Sequence, residues 1–296
     1  MTMSSLTATI GGYTYDLTDR QRYLWMQDDS LGMAPLHRIL ERGPNQHGET
    51  DLGFRLDPRI VNLVIGLFGT DDGDYWNARK ELLKIFTPST TPIALTFTLP
   101  NGDSRALDVH VEKDLKLSST DRKRIAHSVG IQLRASNPTF YDPTLQSITF
   151  GIGGAAAGWS IPMPVATPVG KTSINQVKTF IYNGSFLSSP IVRITGPITD
   201  PVVTNVSTGE VLDFSGTTIV AGDYYLIDCN YGKKTVVDSS GINRYDKLSQ
   251  GSDLATFHLA YHPEVIDGEN DIRVSGTGIN DQTEIYMAFY VRYIGI

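Results

Sequence analysis

The chain has one cysteine in 296 residues, Cys229. A single thiol excludes an internal disulfide and any metal site built from several cysteines. It sits in the strand-like run LIDCNYG, where a small buried side chain is the expected role. Charge is also sparse. Only 19% of residues are Asp, Glu, Lys or Arg, and the net charge is -7. A mildly acidic surface grips nucleic-acid phosphates poorly, but it suits a channel through which DNA slides without sticking. No apolar run approaches the roughly 18 residues of a membrane-spanning helix. The start, MTMSSLTATIGGY, has no basic stretch followed by a long apolar core. The signal-peptide pattern is missing, and synthesis in a cytosol is expected. Catalytic signatures are missing too: there is no G-x-S-x-G, no P-loop and no Cys–His constellation.

Glycine (28) and proline (15) are plentiful, and hydrophobic residues reach 40%. That composition fits many turns around real cores rather than long helices. The stretch from Gly151 to Gly170 combines small residues with Pro162, Pro164 and Pro168, and Pro143 lies just upstream. Proline removes backbone donors and glycine resists ordering, so this stretch reads as a linker. It predicts two β-rich domains, 1–150 and 171–296, joined by residues 151–170.

In the first half, Leu6–Ile10 and Tyr13–Leu17 alternate around Gly11-Gly12, a hairpin signal. The segment Ala34–Leu56 is long and charged, with Gly43, Pro44 and Gly48 near its centre. It predicts two long strands around a turn, too polar for a two-sided core. Such a hairpin projects and needs a neighbour to cover its edge. Ile60–Phe68 predicts a buried strand. Residues 75–86, YWNARKELLKIF, carry apolar positions at helical spacing behind Asp71, Asp72 and Asp74, which cap and charge a helix start. Trp76, Leu82, Leu83 and Phe86 are expected to pin that helix. Ile93–Leu99 and Leu107–Val111 predict another hairpin, and Ser128–Ala135 a further strand. The second half predicts short strands throughout, including Ile191–Ile194, Tyr224–Cys229, Ala255–Leu259, Asp271–Val274 and Ile285–Tyr293, which suggests a β-sandwich.

Candidate chemistry is thin. The run Gly151-Ile-Gly153-Gly-Ala-Ala-Ala-Gly158 is only faintly similar to a dinucleotide loop, and Pro162 and Pro164 forbid the helix that must follow. Asp71, Asp72 and Asp74 lack the closing Glu of a calcium loop. His37 and His47 lie too far apart for the usual zinc spacing, and beside Glu41 and Glu49 they suit solvent or an interface. His258 and His262 occupy a strand-like region where their spacing does not join them on one metal. His110 and His127 have no evident partner. The acidic pairs Glu49/Asp51 and Asp267/Glu269 are ordinary turn composition. Trp159, Tyr224, Tyr225, Tyr231 and Tyr245 could stack on sugars, or serve as core and rim. No enzyme, cofactor or metal is expected.

Several pieces together resemble the siphophage distal tail protein family of the tail tip. They are GPNQHGETDLGFRL (43–56), the YWNARKELLKIF helix and IQLRASNPTFYDP (131–143). In the second half they are SPIVRITGPITDPVVTNVSTGEVL (189–212), AGDYYLIDCNYGKKTV (221–236) and SDLATFHL (252–259), with Glu269, Asn270 and Asp271 beyond. The resemblance implies a mainly β chain. Its first domain would be a tail-tube-like β-sandwich with one helix and a projecting belt hairpin, its second a galectin-like β-sandwich. It implies a structural protein of the virion tail tip, assembled in the host cytoplasm as a homohexameric ring. The implied ring interface is the belt, with Arg38, Glu41, Arg42, His47, Glu49, Asp51 and Arg55. Implied partners are the tail tube protein, the tail hub protein, the tape measure protein and receptor-binding or side baseplate proteins, with DNA passing through the lumen. The alternative is a carbohydrate-binding protein that attaches through the second sandwich.

Overall fold

A computed structural model of the chain describes residues 5–29, 31–115, 117, 125–151 and 173–296. The expected linker lies outside the described residues except for Gly151, and Trp159 lies outside them too. The chain is mainly β and forms two compact units. One holds the described residues up to Pro143 together with Tyr293–Ile296; the other runs from Thr144 to Arg292.

In the first unit, β1 (Ser5–Ile10) and β2 (Tyr13–Asp16) meet at Gly11 and Gly12, with φ of 56° and 82°. Both angles lie where only glycine is unstrained, as this tight turn requires. The chain continues through β3 (Tyr23–Asp29), β4 (Leu36–Glu41), β5 (Thr50–Leu56) and β6 (Arg59–Phe68). After helix α1 (Asp72–Ile85) come β7 (Ile93–Thr98), β8 (Ser104–Val111), β9 (Ala126–Ala135) and β10 (Phe140–Tyr141). The antiparallel sheet runs β2-β1-β7-β8-β9-β6-β3, with β10 added against β8. Strand β6 pairs with β9 from Arg59↔Ala135 to Phe68↔Ala126 and with β3 on its other edge. Its alternation puts Val61, Leu63, Ile65 and Leu67 in the core.

Helix α1 starts where expected. The Asp71 carboxylate accepts the Asp74 N–H at 2.8 Å, and Pro88 lies just beyond its end. The helix buries Tyr75, Ala78, Leu82 and Ile85, followed by Phe86. Each large side chain among these contributes roughly 1.5–3 kcal/mol. Trp76 and Leu83 were expected in the core but are 51% and 43% exposed. Each follows a core residue, Tyr75 or Leu82, and one step along a helix turns the side chain about 100° away. Expected without a partner, His127 is buried, with its Nδ1 3.2 Å from the Tyr75 hydroxyl.

The second unit contains β11 (Gln146–Gly151), β12 (Ser173–Ile181), β13 (Ile191–Thr195), β14 (Ile198–Asn205) and β15 (Glu210–Asp213). It continues with β16 (Thr218–Ile219), β17 (Tyr224–Asp228), β18 (Thr235–Asp238), β19 (Glu269–Thr277) and β20 (Glu284–Phe289). One sheet runs β11-β20-β13-β17-β18. The other runs β12-β19-β14-β15, with β16 against β14. Val192, Ile194, Ile227 and Met287 from the first share a core with Ile174, Val203, Ile272 and Val274 from the second. This is a β-sandwich. Cys229 is fully buried in it, and burial pushes its thiol up to about 12, so it is chemically quiet.

Three further features differ from the sequence reading. Strand β11, placed in the first domain by the expected boundary at residue 150, pairs with β20 in the second unit. Residues 255–259 are not a strand: Thr256 and Phe257 donate their N–H groups to the Asp253 carbonyl, which makes a turn. The expected strand Ile285–Tyr293 is interrupted after Phe289.

Candidate functional site: a projecting hairpin

Strands β4 and β5 form a two-stranded sheet of their own, from Leu36↔Leu56 to Glu41↔Thr50. Among the described residues they join no other strand. The turn between them is held by Gln46. Its side-chain oxygen accepts the Gly43 N–H at 3.0 Å, and its amide nitrogen donates to the Thr50 hydroxyl at 2.8 Å. A bulge lies opposite Ile39 and Leu40, and there Gly53 takes a φ of 122°. A side chain would be strained at that angle. The Asp51 carboxylate accepts the Gly53 N–H at 3.0 Å and fixes the bulge.

The root of the hairpin is clamped from below. Arg59, the first residue of β6, is fully buried. Its guanidinium donates to the carbonyls of Pro138 (2.9 Å), Gly32 (2.8 Å) and Ile294 (2.8 Å), and lies 4.7 Å from the centre of the Phe140 ring. Burial lowers its pKa to about 10, so it stays charged at neutral pH. The returning C-terminus completes the clamp. Ala34 N–H donates to Ile294 O at 3.0 Å, and Ile296 N–H donates to Leu31 O at 3.0 Å. The Asp57 N–H then closes the strand pair onto Pro35 O at 2.9 Å.

The candidate interface residues all lie along this arm and are exposed. Arg38 pairs with Asp51 at 2.5 Å, and Arg55 approaches Asp57 at 3.5 Å. Exposed pairs of this kind contribute at most about 1 kcal/mol, so they do not hold the arm up. Glu41, Arg42, His47 and Glu49 form no ion pair among the described residues. Between these charges, Leu36, Ile39, Leu40, Leu52 and Phe54 are 41–57% exposed. An isolated two-stranded ribbon is marginal in water, and unpaired edges with apolar side chains invite a partner. Arg59, Gly53 and residues 293–296 are the members of this site that sequence reasoning missed.

The other candidates resolve into structural roles. Asp71 and Asp74 cap α1, and Asp74 also bonds Arg22 at 3.0 Å. His258 is held between Glu210 (3.0 Å) and Glu264 (2.8 Å), one carboxylate at each ring nitrogen. No group of His, Cys, Asp and Glu among the described residues is arranged to hold a metal ion. Of the tyrosines, Tyr225 is buried, Tyr224 lies under the Arg193 guanidinium (4.1 Å) and Tyr231 under the Lys234 amine (4.8 Å). Tyr231 and Tyr245 are 69% and 58% exposed.

Comparison with known proteins gives a consistent result. Residues 11–122 match the family model of the phage tail protein RIFT-related domain. No curated protein sequence matches the chain. Among solved structures, the chain is similar to the Dit (gp 19.1) protein of phage SPP1, with a TM-score of 0.61 and 15% identity over 96% of this chain and 98% of that one. That protein is described as a paradigm of the hub adsorption apparatus in phages infecting Gram-positive hosts. The chain is also similar to a component of the phage P2 baseplate in its activated conformation with Ca, with a TM-score of 0.52 and 14% identity over 96% and 97% of the two chains. The chain thus has the fold of siphophage distal tail and baseplate proteins, and its first unit carries the matching phage-tail sequence.

Proposed function

We propose, for a chain with a phage-tail domain and a distal-tail fold, a structural role at the tail tip. Copies assemble into a ring, six-fold by analogy with the family, that joins the tail tube to the hub and the adsorption apparatus. Tape measure protein and then DNA pass through its lumen, and a net charge of -7 on every copy discourages phosphates from sticking to the ring. The reading assigns no enzymatic step. The belt residues Arg38, Glu41, Arg42, His47, Glu49, Asp51 and Arg55 lie at the contact between copies.

One observation carries this reading. The β4–β5 arm is rooted by Arg59, yet its apolar side chains are about half exposed and neither edge pairs with another strand among the described residues. A head-to-tail contact between identical copies covers such an arm and closes into a ring when the rotation fits. Native mass spectrometry with negative-stain microscopy tests it. The full chain should form rings, and deletion of Arg42 to Asp51 should leave a folded monomer.

A second reading, saccharide binding by the second unit, rests on the exposed rings of Tyr231 and Tyr245. A glycan array with the full chain tests it. Retention that survives Tyr231→Ala with Tyr245→Ala would remove those rings from the account.

A further inference from the structure

The exposed face of α1 is unexplained by the core. Trp76 and Leu83 are seven residues apart, two helical turns along one side, and about half of each is exposed. Leu83 also lines a cleft of about 540 Å³ whose other apolar walls are Phe86, Pro88, Val111 and Leu115, with Glu112, Lys113 and Asp114 at its charged side. Lys80 and Lys84 lie on the exposed face beside this stripe and form no ion pair among the described residues. The Arg79 guanidinium sits 5.3 Å from the centre of the Trp76 ring. A half-exposed Trp with Arg beside it and a hydrophobic cleft alongside is the composition of an interface hot spot.

The arm offers the complement. Near its tip, Leu40 and Leu52 are exposed, flanked by Glu41 and Glu49, which form no ion pair among the described residues, and by Arg42 and His47. The apolar tip matches the apolar walls of the cleft, and residues 40–52, with Glu41, Glu49 and Asp51 against Arg42, are net acidic opposite Lys80 and Lys84 of the helix face. Both patches are exposed in the same chain, so neither covers the other there.

We infer that the α1 face, centred on Trp76, Lys80, Leu83 and Lys84, is the acceptor on which the β4–β5 tip of a second copy docks. This deepens the ring reading by naming the surface the arm engages. The contact is heterologous: each copy gives an arm and receives one.

The test uses two full-length variants. The first carries Trp76→Ala, Lys80→Glu and Lys84→Glu, all exposed positions, and keeps its arm. The second lacks Arg42 to Asp51 and keeps its helix face. Each alone should be a folded monomer by circular dichroism and native mass spectrometry, with self-association weakened at least roughly 30-fold. Mixed, they should form one 1:1 heterodimer that grows no further, because only one working contact remains. Adding Glu41→Lys and Glu49→Lys to the first variant, with Trp76 restored, should recover rings by swapping the charges. A wild type that forms rings beside a first variant that does so equally well would overturn this inference alone. So would two monomeric variants that fail to pair; the helix face would then serve some other partner. A wild type that stays monomeric would remove the ring reading itself.

Discussion

Replacing Arg59 with Leu separates a structural root from a decorative one. Three backbone carbonyls, at Gly32, Pro138 and Ile294, accept from this buried guanidinium at 2.8–2.9 Å. Hydrogen bonds from charged donors contribute about 1.5–3 kcal/mol each, and a buried carbonyl left unpaired costs about 1–3 kcal/mol. Two of the acceptors belong to partly buried bonds that water can in part replace, and Leu avoids the cost of burying a charge. The expected net loss is about 2–4 kcal/mol, a large share of the 5–15 kcal/mol typical of a folded domain. Urea unfolding of wild type and Arg59→Leu measures it. Hydrogen exchange supplies the local readout: the Ala34 amide, bonded to Ile294 O, should exchange markedly faster. Arg59→Lys, with one compact ammonium in place of a planar fork, should fall between the two. A change below about 1 kcal/mol with unaltered exchange at Ala34 would refute the clamp.

Three further outcomes are expected. Asp71→Ala removes the α1 cap and should cost about 1 kcal/mol in thermal or urea unfolding; no shift would mean that Asp74 or water substitutes. Asn270, fully buried, bonds Ala260 through both its N–H and its carbonyl, and also Gly268 O and Asn205. Asn270→Leu should therefore cost about 3 kcal/mol or more, and an unchanged melting temperature would contradict the network. His258 is pulled down by burial but raised further by Glu210, the Thr256 carbonyl and Glu264, to about 9 from its usual 6.5. A raised folded pKa contributes stability that is complete below about 6.5 and lost as pH climbs through 9. The contribution is on the order of 3 kcal/mol. The stability gap between wild type and His258→Gln should therefore shrink from pH 6.5 to above pH 9, and a constant gap would show that the pair carries no charge interaction.

Much of this was legible where the cause is local. Gly11-Gly12, the Asp71 cap and the polar arm with its central turn announce themselves within a few residues, because turn chemistry and caps act at short range. The misreadings share one physical origin. Tyr75/Trp76 and Leu82/Leu83 are adjacent apolar pairs on a helix, and only one of each pair can face the sheet. The choice depends on the angle at which the helix docks, which nothing in YWNARKELLKIF encodes. The clamp was equally silent. Arg59 opens a strand as many arginines do, and its acceptors lie 27, 79 and 235 residues away. The short tail Tyr293–Ile296 returns to the first unit without a sequence marker. Residues 255–259 alternate like a strand, but the Asp253 main-chain carbonyl accepts the Thr256 and Phe257 N–H groups and turns the chain.

The central claim is that the arm's missing neighbour is another copy of the same protein. Native mass spectrometry of the full chain, beside the form lacking Arg42 to Asp51, puts this most directly. The account predicts a closed multiple of the 32.5-kDa chain, most simply six, for the first and a folded single chain for the second. A full chain that remains single at high concentration, or an armless form that assembles just as well, would contradict it.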